Sequence, residues 1–304
     1  MPNADPTLMT VDEFYGTWLG RQIREIVMTL SIIATLSVVA LLYLGYWIYQ
    51  GSQMTKSGYL SPGPFILARM VAYAGYRLIA YLGVGPVLVV GRERVPSSRQ
   101  VPLVFTPNHT HEMDFALAGM AIKGGFRFMA AANQLYGWRA LFGAWCGAFS
   151  VNYEQKGGGA AAVSSAVRVL TKRGSVRKLL IFPQGTLIRD NVLRPAEFRH
   201  GAVRIAHLTV NEPGEGNAAV LFYPVGLHYI RDKRLAAPSQ RWLGKMRGMF
   251  GVVNYGAIVV IGRPIVARDL PADEVTATEV IRLAVQACLD QAKLIEAQRL
   301  AALG

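Results

Sequence analysis

The chain has 304 residues, with 32 Lys and Arg against 19 Asp and Glu, 52% hydrophobic residues, 17% charged residues and two cysteines. It is long enough for one large domain with an appendage, and its composition excludes both a disordered chain and a polytopic membrane protein. The formal net charge of +13 favours an anionic partner (nucleic acid, an acidic membrane surface, or an acidic protein or cofactor), while Cys146 and Cys288 are too few for a disulfide framework and fit a reducing compartment.

From Val27 to Tyr49 the sequence VMTLSIIATLSVVALLYLGYWIY carries no charge over 23 residues. As a helix rising about 1.5 Å per residue it reaches roughly 34 Å, enough to cross a hydrocarbon core of about 30 Å. Tyr43, Tyr46, Trp47 and Tyr49 crowd its C-terminal end and Tyr15 and Trp18 precede it, where amphipathic rings belong at the two interfaces. A core helix of this length would show a polar stripe. A cleaved signal peptide would not place 26 residues before the apolar run, and no small-x-small site follows it. An uncleaved anchor is predicted. Arg21 and Arg24 at one end, and Lys56 and Arg69 beyond the other, leave its orientation undecided by charge.

Pro64 to Leu82 reads as a second, mostly apolar helix, on which Arg69 and Arg77 project within about 80° of each other. It would lie on the membrane or return as the second arm of a shallow hairpin, with Gly51 to Gly63 making the turn. Residues 1–85 are therefore expected to form a membrane-anchoring helical segment, and residues 86–304 a separate globular domain.

Within that domain Val87–Val90 and Leu103–Thr106 are short apolar runs bounded by Gly and Pro, as buried strands are. A helix is predicted over Gly159–Leu170, a strand over Lys178–Phe182, a helix over 198–208, and strands over Val220–Val225 and Gly256–Ile261. A final helix runs from Val275, with Ile281, Ala284, Val285, Cys288, Leu289, Ala292 and Ile295 on one face. Alternating strands and helices predict an α/β fold, a central mostly parallel or mixed sheet flanked by helices. The stretch NEPGEGN at 211–217 reads as an exposed loop.

The densest polar cluster, Pro107-Asn108-His109-Thr110-His111-Glu112-Met113-Asp114, follows a predicted buried strand directly, where α/β folds place their sites. A turn between strand and helix would bring the Asp114 carboxylate back to one nitrogen of His109. That fixes the tautomer and leaves the other nitrogen as a base for a hydroxyl attacking an acyl carbonyl. No GxSxG elbow and no complete P-loop occurs. Two other readings stand beside this one. His111 and Glu112 next to His109 could hold a metal, but the HExxH spacing is absent and no thiolate lies nearby. A solvated loop is the third. The second cluster, Phe182-Pro183-Gln184-Gly185-Thr186, also ends a predicted strand, and its glycine would let backbone amides approach an oxyanion or an acceptor.

Together the two clusters resemble the glycerolipid (lysophospholipid) acyltransferase family, 1-acylglycerol-3-phosphate acyltransferase-like, whose members carry an NHxxxxD block and downstream an FPEGTR block. Here these stand as Asn108-His109 through Asp114 and as FPQGTL, Phe182 to Leu187. Further similarity lies in Leu193 to Ala206, in YPVGL at 223–227 and in Gly262-Arg263-Pro264-Ile265, so that the resemblance covers roughly residues 85 to 270. It implies His109 as general base and Asp114 as its orienter. It also implies a substrate site around Asn108, Phe182, Pro183, Gln184, Gly185 and Thr186, an acyl-CoA or acyl carrier protein co-substrate, and no metal or other cofactor.

Three basic positions of the family differ. Its F-x-x-Arg block ends here in Asn152, the Arg of FPEGTR is Leu187, and a lysine before a Glu-Leu pair is replaced within Ala130 to Leu135; the Glu of FPEGTR is Gln184. In the family these cations hold the acceptor's phosphate through charge-assisted contacts. Their loss predicts an acceptor alcohol without phosphate at that position: a monoacylglycerol, a glycosylated lipid or pigment, or a zwitterionic lysolipid. Arg189, two positions past Leu187, is the candidate replacement.

Arg168, Lys172, Arg173, Arg177 and Lys178 read as solvated surface. Arg241, Lys245 and Arg247, interleaved with Trp242, Leu243, Met246, Met249 and Phe250, form a basic amphipathic stretch suited to anionic lipid. No nucleic-acid-binding signature appears, and the anchor argues against that partner. The expected function is a membrane-bound O-acyltransferase acting on a lipid hydroxyl. Membrane lipids and the acyl donor are its partners, and the body faces the cytoplasm, where acyl thioesters are made. The alternative is a non-catalytic lipid-binding or scaffold protein that retains the fold.

Overall fold

The computed structural model describes residues 11–62, 66–96, 101–122, 125–172, 176–212, 219–236 and 254–303. The basic amphipathic stretch at 241–250, Arg173 and the loop residues 213–217 lie outside the described residues. The chain divides into two compact units, Met1–Tyr49 and Gln50–Gly304.

The first unit is the body of helix α1, Val11–Gln53. Its segment Gly20–Gln53 spans 34 residues and is long and apolar enough to cross a membrane. Leu30, Ile33, Leu41 and Leu42 stand exposed along it. Thr35 and Ser37 donate their hydroxyls to the carbonyls of Ser31 and Ile33, each at 2.8 Å, so these two polar groups are satisfied inside the helix. The Trp47 ring meets Tyr43 and Tyr46 edge-on at 6.1 and 5.3 Å, clustering rings at the end where the spacing predicts them.

The second unit is built on a mixed sheet of eight strands flanked by helices. In chain order its elements are α2 (Ile66–Gly83), β1 (Val87–Val90), β2 (Leu103–Pro107), α3 (Asp114–Ala121), β3 (Arg127–Ala131), α4 (Gly137–Cys146), β4 (Phe149–Val151), α5 (Gly158–Thr171), β5 (Lys178–Leu180), α6 (Gly201–Asn211), β6 (Leu221–Ile230), β7 (Gly256–Ile261), β8 (Ile265–Val266) and α7 (Glu274–Ala301). The strand order is β1-β7-β6-β2-β5-β3-β4, with β8 on β6. All pairs are parallel except β6 with β7 and β6 with β8. Helix α2, the segment expected at the membrane surface, packs against α3 in this unit.

Hydrophobic alternation sets the faces. Val104, Leu179 and Phe222 point to one side, where Ala166 and Leu170 of α5, Ile205 and Ala206 of α6, and Ile281, Val285 and Leu289 of α7 close over them. Phe105 and Tyr223, paired in register, turn to the other side and stack at 5.3 Å. The strands β2 and β7 read as continuous apolar runs because both of their faces are covered.

Three boundaries shift from the sequence reading, each for a local reason. Strand β5 stops at Leu180, since Phe182 already begins a turn closed by the Gly185 N–H on the Phe182 carbonyl at 3.0 Å. Helix α6 starts at Gly201 because the Arg199 N–H is drawn to the Pro183 carbonyl at 2.9 Å. Strand β6 runs on to Ile230 because its second half changes partner, from parallel β2 to antiparallel β7.

Gly226 fixes how closely α7 approaches β6. A Cβ there would stand 2.4 Å from the Leu289 nitrogen and 2.5 Å from the Cys288 carbonyl carbon, both main-chain atoms that have no rotamer to yield. Gly226→Ala is therefore expected to destabilise the fold by about 1–3 kcal/mol or more, measured as a fall in the unfolding midpoint of the detergent-solubilised chain; an unchanged midpoint would show that α7 can shift without cost.

Candidate active site

Strands β2 and β5 are parallel neighbours with Phe105 opposite Leu180. His109 lies four residues beyond Phe105, and Gln184 four beyond Leu180, so the two polar loops leave the carboxyl edge of the sheet side by side. They are stitched together around the histidine. The His109 N–H donates to Gln184 Oε1 at 2.7 Å, and the Ile188 N–H donates to the His109 carbonyl at 2.8 Å. The Phe182 ring stacks on the imidazole at 4.1 Å between centroids, 26° from coplanar.

Asp114 opens α3 and is 0% exposed. A buried carboxylate needs donors on both oxygens, and it has them. Its Oδ2 accepts from the Thr110 and His111 N–H groups at 2.6 and 2.8 Å and lies 2.9 Å from His109 Nδ1. Its Oδ1 accepts the Tyr229 hydroxyl at 2.5 Å. Since a carboxylate only accepts, the neutral His109 imidazole places its hydrogen on Nδ1 and its free lone pair on Nε2. The His109 side chain is 22% exposed, so the free nitrogen is reachable from solvent.

Tyr229 is a site residue that the sequence reading missed. It is 8% exposed, and burial, with the Asp114 charge and hydrogen bond adding to it, drives the phenol well above its ordinary range, so it remains a donor. Alternation along β6 places Tyr229 on the same face as Tyr223, the side on which α3 lies. In the sequence it is indistinguishable from a core tyrosine at a strand end.

His111 has a different environment. Its Nδ1 accepts the Met113 N–H at 3.1 Å, and its ring lies 5.1 Å from that of Tyr229. Burial holds its pKa below the ordinary 6.5; Asp114 and Glu112 pull it up, and Arg231 and Arg189 push it down. Arg189, the expected replacement cation, is exposed and its charge reaches His111.

The remaining expected residues divide by what surrounds them. Asn108 is fully buried and its amide is spent on the protein: Nδ2 donates to Asn191 Oδ1 (2.8 Å) and the Leu227 carbonyl (3.0 Å), and Oδ1 accepts the Leu227 N–H (2.6 Å). Asn191 adopts φ 56°, a left-handed conformation that Asn tolerates. Gln184 is 1% exposed, while Gly185, with φ 65°, and Thr186 are exposed. Pro183 is buried, with its carbonyl held by the Arg199 N–H. Thr106 Oγ1, Thr110 Oγ1 and Gln184 Nε2 are buried without a hydrogen-bond partner among the described residues. Unpaired buried polar atoms are rare, and these gather on the strand end and the two loops around His109.

Tyr229→Phe keeps the ring and leaves Asp114 Oδ1 unpaired, an expected loss of about 1–3 kcal/mol by denaturant unfolding; a stability equal to wild type would show that Oδ1 finds another donor. For His111 the sign follows from its depressed pKa. As pH falls through 6.5 the unfolded chain binds a proton that the folded chain refuses, so stability declines below that value. His111→Gln is expected to flatten this decline between pH 6.5 and the depressed pKa, and a slope identical to wild type would contradict it.

Residues 86–228 match the family model described as Acyltransferase. No curated protein matches the chain. Among solved structures the chain is similar to the crystal structure of the 1-acyl-sn-glycerophosphate (LPA) acyltransferase PlsC from Thermotoga maritima, at 19% identity and a TM-score of 0.46, over 89% of this chain and 98% of that one. The two loops that meet at His109 both fall inside the matched residues, and over residues 86–228 the chain carries a domain of the Acyltransferase family.

Proposed function

We propose that the protein is a membrane-anchored O-acyltransferase that moves a fatty acyl group from a thioester of coenzyme A or acyl carrier protein to a lipid hydroxyl. The observation that carries this reading is His109: Nδ1 is tied to a buried carboxylate at 2.9 Å, Nε2 makes no hydrogen bond among the described residues, and the side chain is partly exposed. A hydroxyl that reaches Nε2 gives up its proton there as its oxygen attacks the thioester carbonyl. The tetrahedral intermediate then collapses, the C–S bond breaks, and the departing thiolate takes the proton back from the imidazolium. No enzyme nucleophile is needed, because the acceptor oxygen forms the new ester directly. Asp114 stays a carboxylate throughout, holding the tautomer and balancing the imidazolium charge.

The apolar segment Gly20–Gln53 supports the anchor, since both acyl chains of such a reaction reside in lipid. The donor is made in the cytoplasm, which supports placing the body on that face. Neutral Asn152 and Leu187 support an acceptor without a phosphate monoester, since no arginine stands at either position.

The test is thiol release from acyl-CoA by the detergent-purified chain across a panel of lysophosphatidic acid, zwitterionic lysolipids, monoacylglycerol and glycolipids. Release should require an acceptor, and His109→Ala should lower it by about 10²–10⁴-fold. Absence of release with acyl-CoA and equally with acyl-acyl carrier protein would favour instead a lipid-binding protein on the same fold.

A further inference from the structure

The loop that grips His109 carries a cation packed against it. Arg199 runs alongside that loop, its N–H on the Pro183 carbonyl at 2.9 Å. Its side chain then lies across Gly185: a Cβ on that glycine would stand 3.0 Å from the Arg199 Nε and 3.2 Å from its Cδ and Cζ. The guanidinium carbon sits 4.7 Å from the centroid of the Tyr153 ring, which is itself 53% exposed. Tyr153 immediately follows Asn152.

Among the described residues this arginine has no acid. Arg194 is paired with Asp190 and Glu197, Arg204 with Glu274, Arg234 with Asp232 and Arg282 with Glu279, whereas the Arg199 guanidinium has neither an ion pair nor a hydrogen bond among the described residues. It is nevertheless held, by an aromatic face beneath and a bare glycine beside it. A guanidinium fixed in place with its N–H groups unspent loses little freedom on accepting an oxyanion. Arg189 and Arg231 are also exposed and near enough to act on His111, but no hydrogen bond, ion pair or ring contact among the described residues fixes their guanidinium groups.

We propose that Arg199, seated on Tyr153 and Gly185, binds the phosphodiester of a lysolipid headgroup while the free hydroxyl of the same glycerol reaches His109. The inference rests on the acyltransferase reading and narrows its acceptor. In a lysophospholipid the phosphate and the acylatable hydroxyl belong to one glycerol unit, and here the cation lies across Gly185, the residue after Gln184, whose side-chain Oε1 accepts the His109 N–H. One fixed guanidinium matches one negative charge. A phosphodiester carries one; the second charge of a phosphate monoester finds no cation at Asn152 or Leu187.

The test uses the full chain in mixed micelles with acyl-CoA, and compares lysophosphatidylcholine and lysophosphatidylglycerol with monoacylglycerol and lysophosphatidic acid. Both phosphodiester acceptors should show the higher kcat/KM, and Arg199→Gln should cut their advantage over monoacylglycerol by about tenfold or more, through KM rather than kcat. Arg199→Lys should restore part of it, and Tyr153→Leu should lose several-fold. An advantage unchanged in Arg199→Gln, equal use of monoacylglycerol, or a tenfold preference for lysophosphatidic acid would overturn the proposal while leaving the acyltransferase reading intact. If the wild-type chain turns over no acceptor with either thioester, the acyltransferase reading fails first. Lysophosphatidylglycerol binding to the His109→Ala chain then decides the cation site: binding weakened about tenfold by adding Arg199→Gln sustains it, and binding indifferent to that change removes it.

Discussion

The buried charge of Asp114 is the constraint around which the site is arranged. Taking a carboxylate out of water costs several kcal/mol unless donors replace the lost solvation, and Asp114 is wholly enclosed. Its four donors come from two places: the two N–H groups of Thr110 and His111 and the imidazole of His109, all from the loop before α3, and the phenol of Tyr229 from the far half of β6. Satisfying them forces the loop to coil back on the helix start, sets which His109 nitrogen holds the hydrogen, and requires β6 to extend past the end of β2. The helix start adds its own field, since a negative charge is favoured in the first turn.

The sheet order supplies the rest. A parallel β2–β5 pair, in register at Phe105 and Leu180, delivers His109 and Gln184 to the same edge with equal offset. Strand β6 flanks β2 on its other side and rises beside the histidine loop, where Asn108 clamps it at both the N–H and the carbonyl of Leu227. That clamp explains why β6 changes partner without losing alignment: Pro107 still opposes Val225 as β2 ends, and the antiparallel register with β7 begins at the same residue. Gly226 lies beside it, so the close approach of α7 is located directly behind the clamp.

Much of this could be read from residues alone, and the limits are physical. Val87–Val90 and Gly256–Ile261 were legible to the residue because they are unbroken apolar runs that stop at Gly91 and Gly262. The His109–Asp114 contact was legible because five residues of separation across a strand-to-helix turn leave the two side chains few ways to avoid one another. Strands β3 and β4 were not anticipated: Arg127 begins one of them, with its guanidinium bound to the Ser61, Pro62 and Gly147 carbonyls, and a three-residue strand such as Phe149–Val151 has no period to detect. Tyr229 and Arg199 escaped for another reason. Each reaches the site from more than 80 positions along the chain from His109, and only the sheet register and the turn at Gly185 bring it there.

Local rules are broken where the chemistry is proposed. Among the described residues Thr106, Thr110 and Gln184 each bury a polar atom without a partner, as Trp47, Arg92 and Glu197 do elsewhere, and the first three lie close to the well-bonded Asn108 and Asp114. A core selected only for stability would replace those atoms, since each costs about 1–3 kcal/mol. Gln184 shows the compromise most clearly, as its oxygen fixes the His109 N–H while its nitrogen finds nothing. The same loop places Gly185 at φ 65° and lays a cation across it. The residues that hold the histidine in place are therefore the ones that carry this cost, as expected where a site rather than a core sets the local requirements.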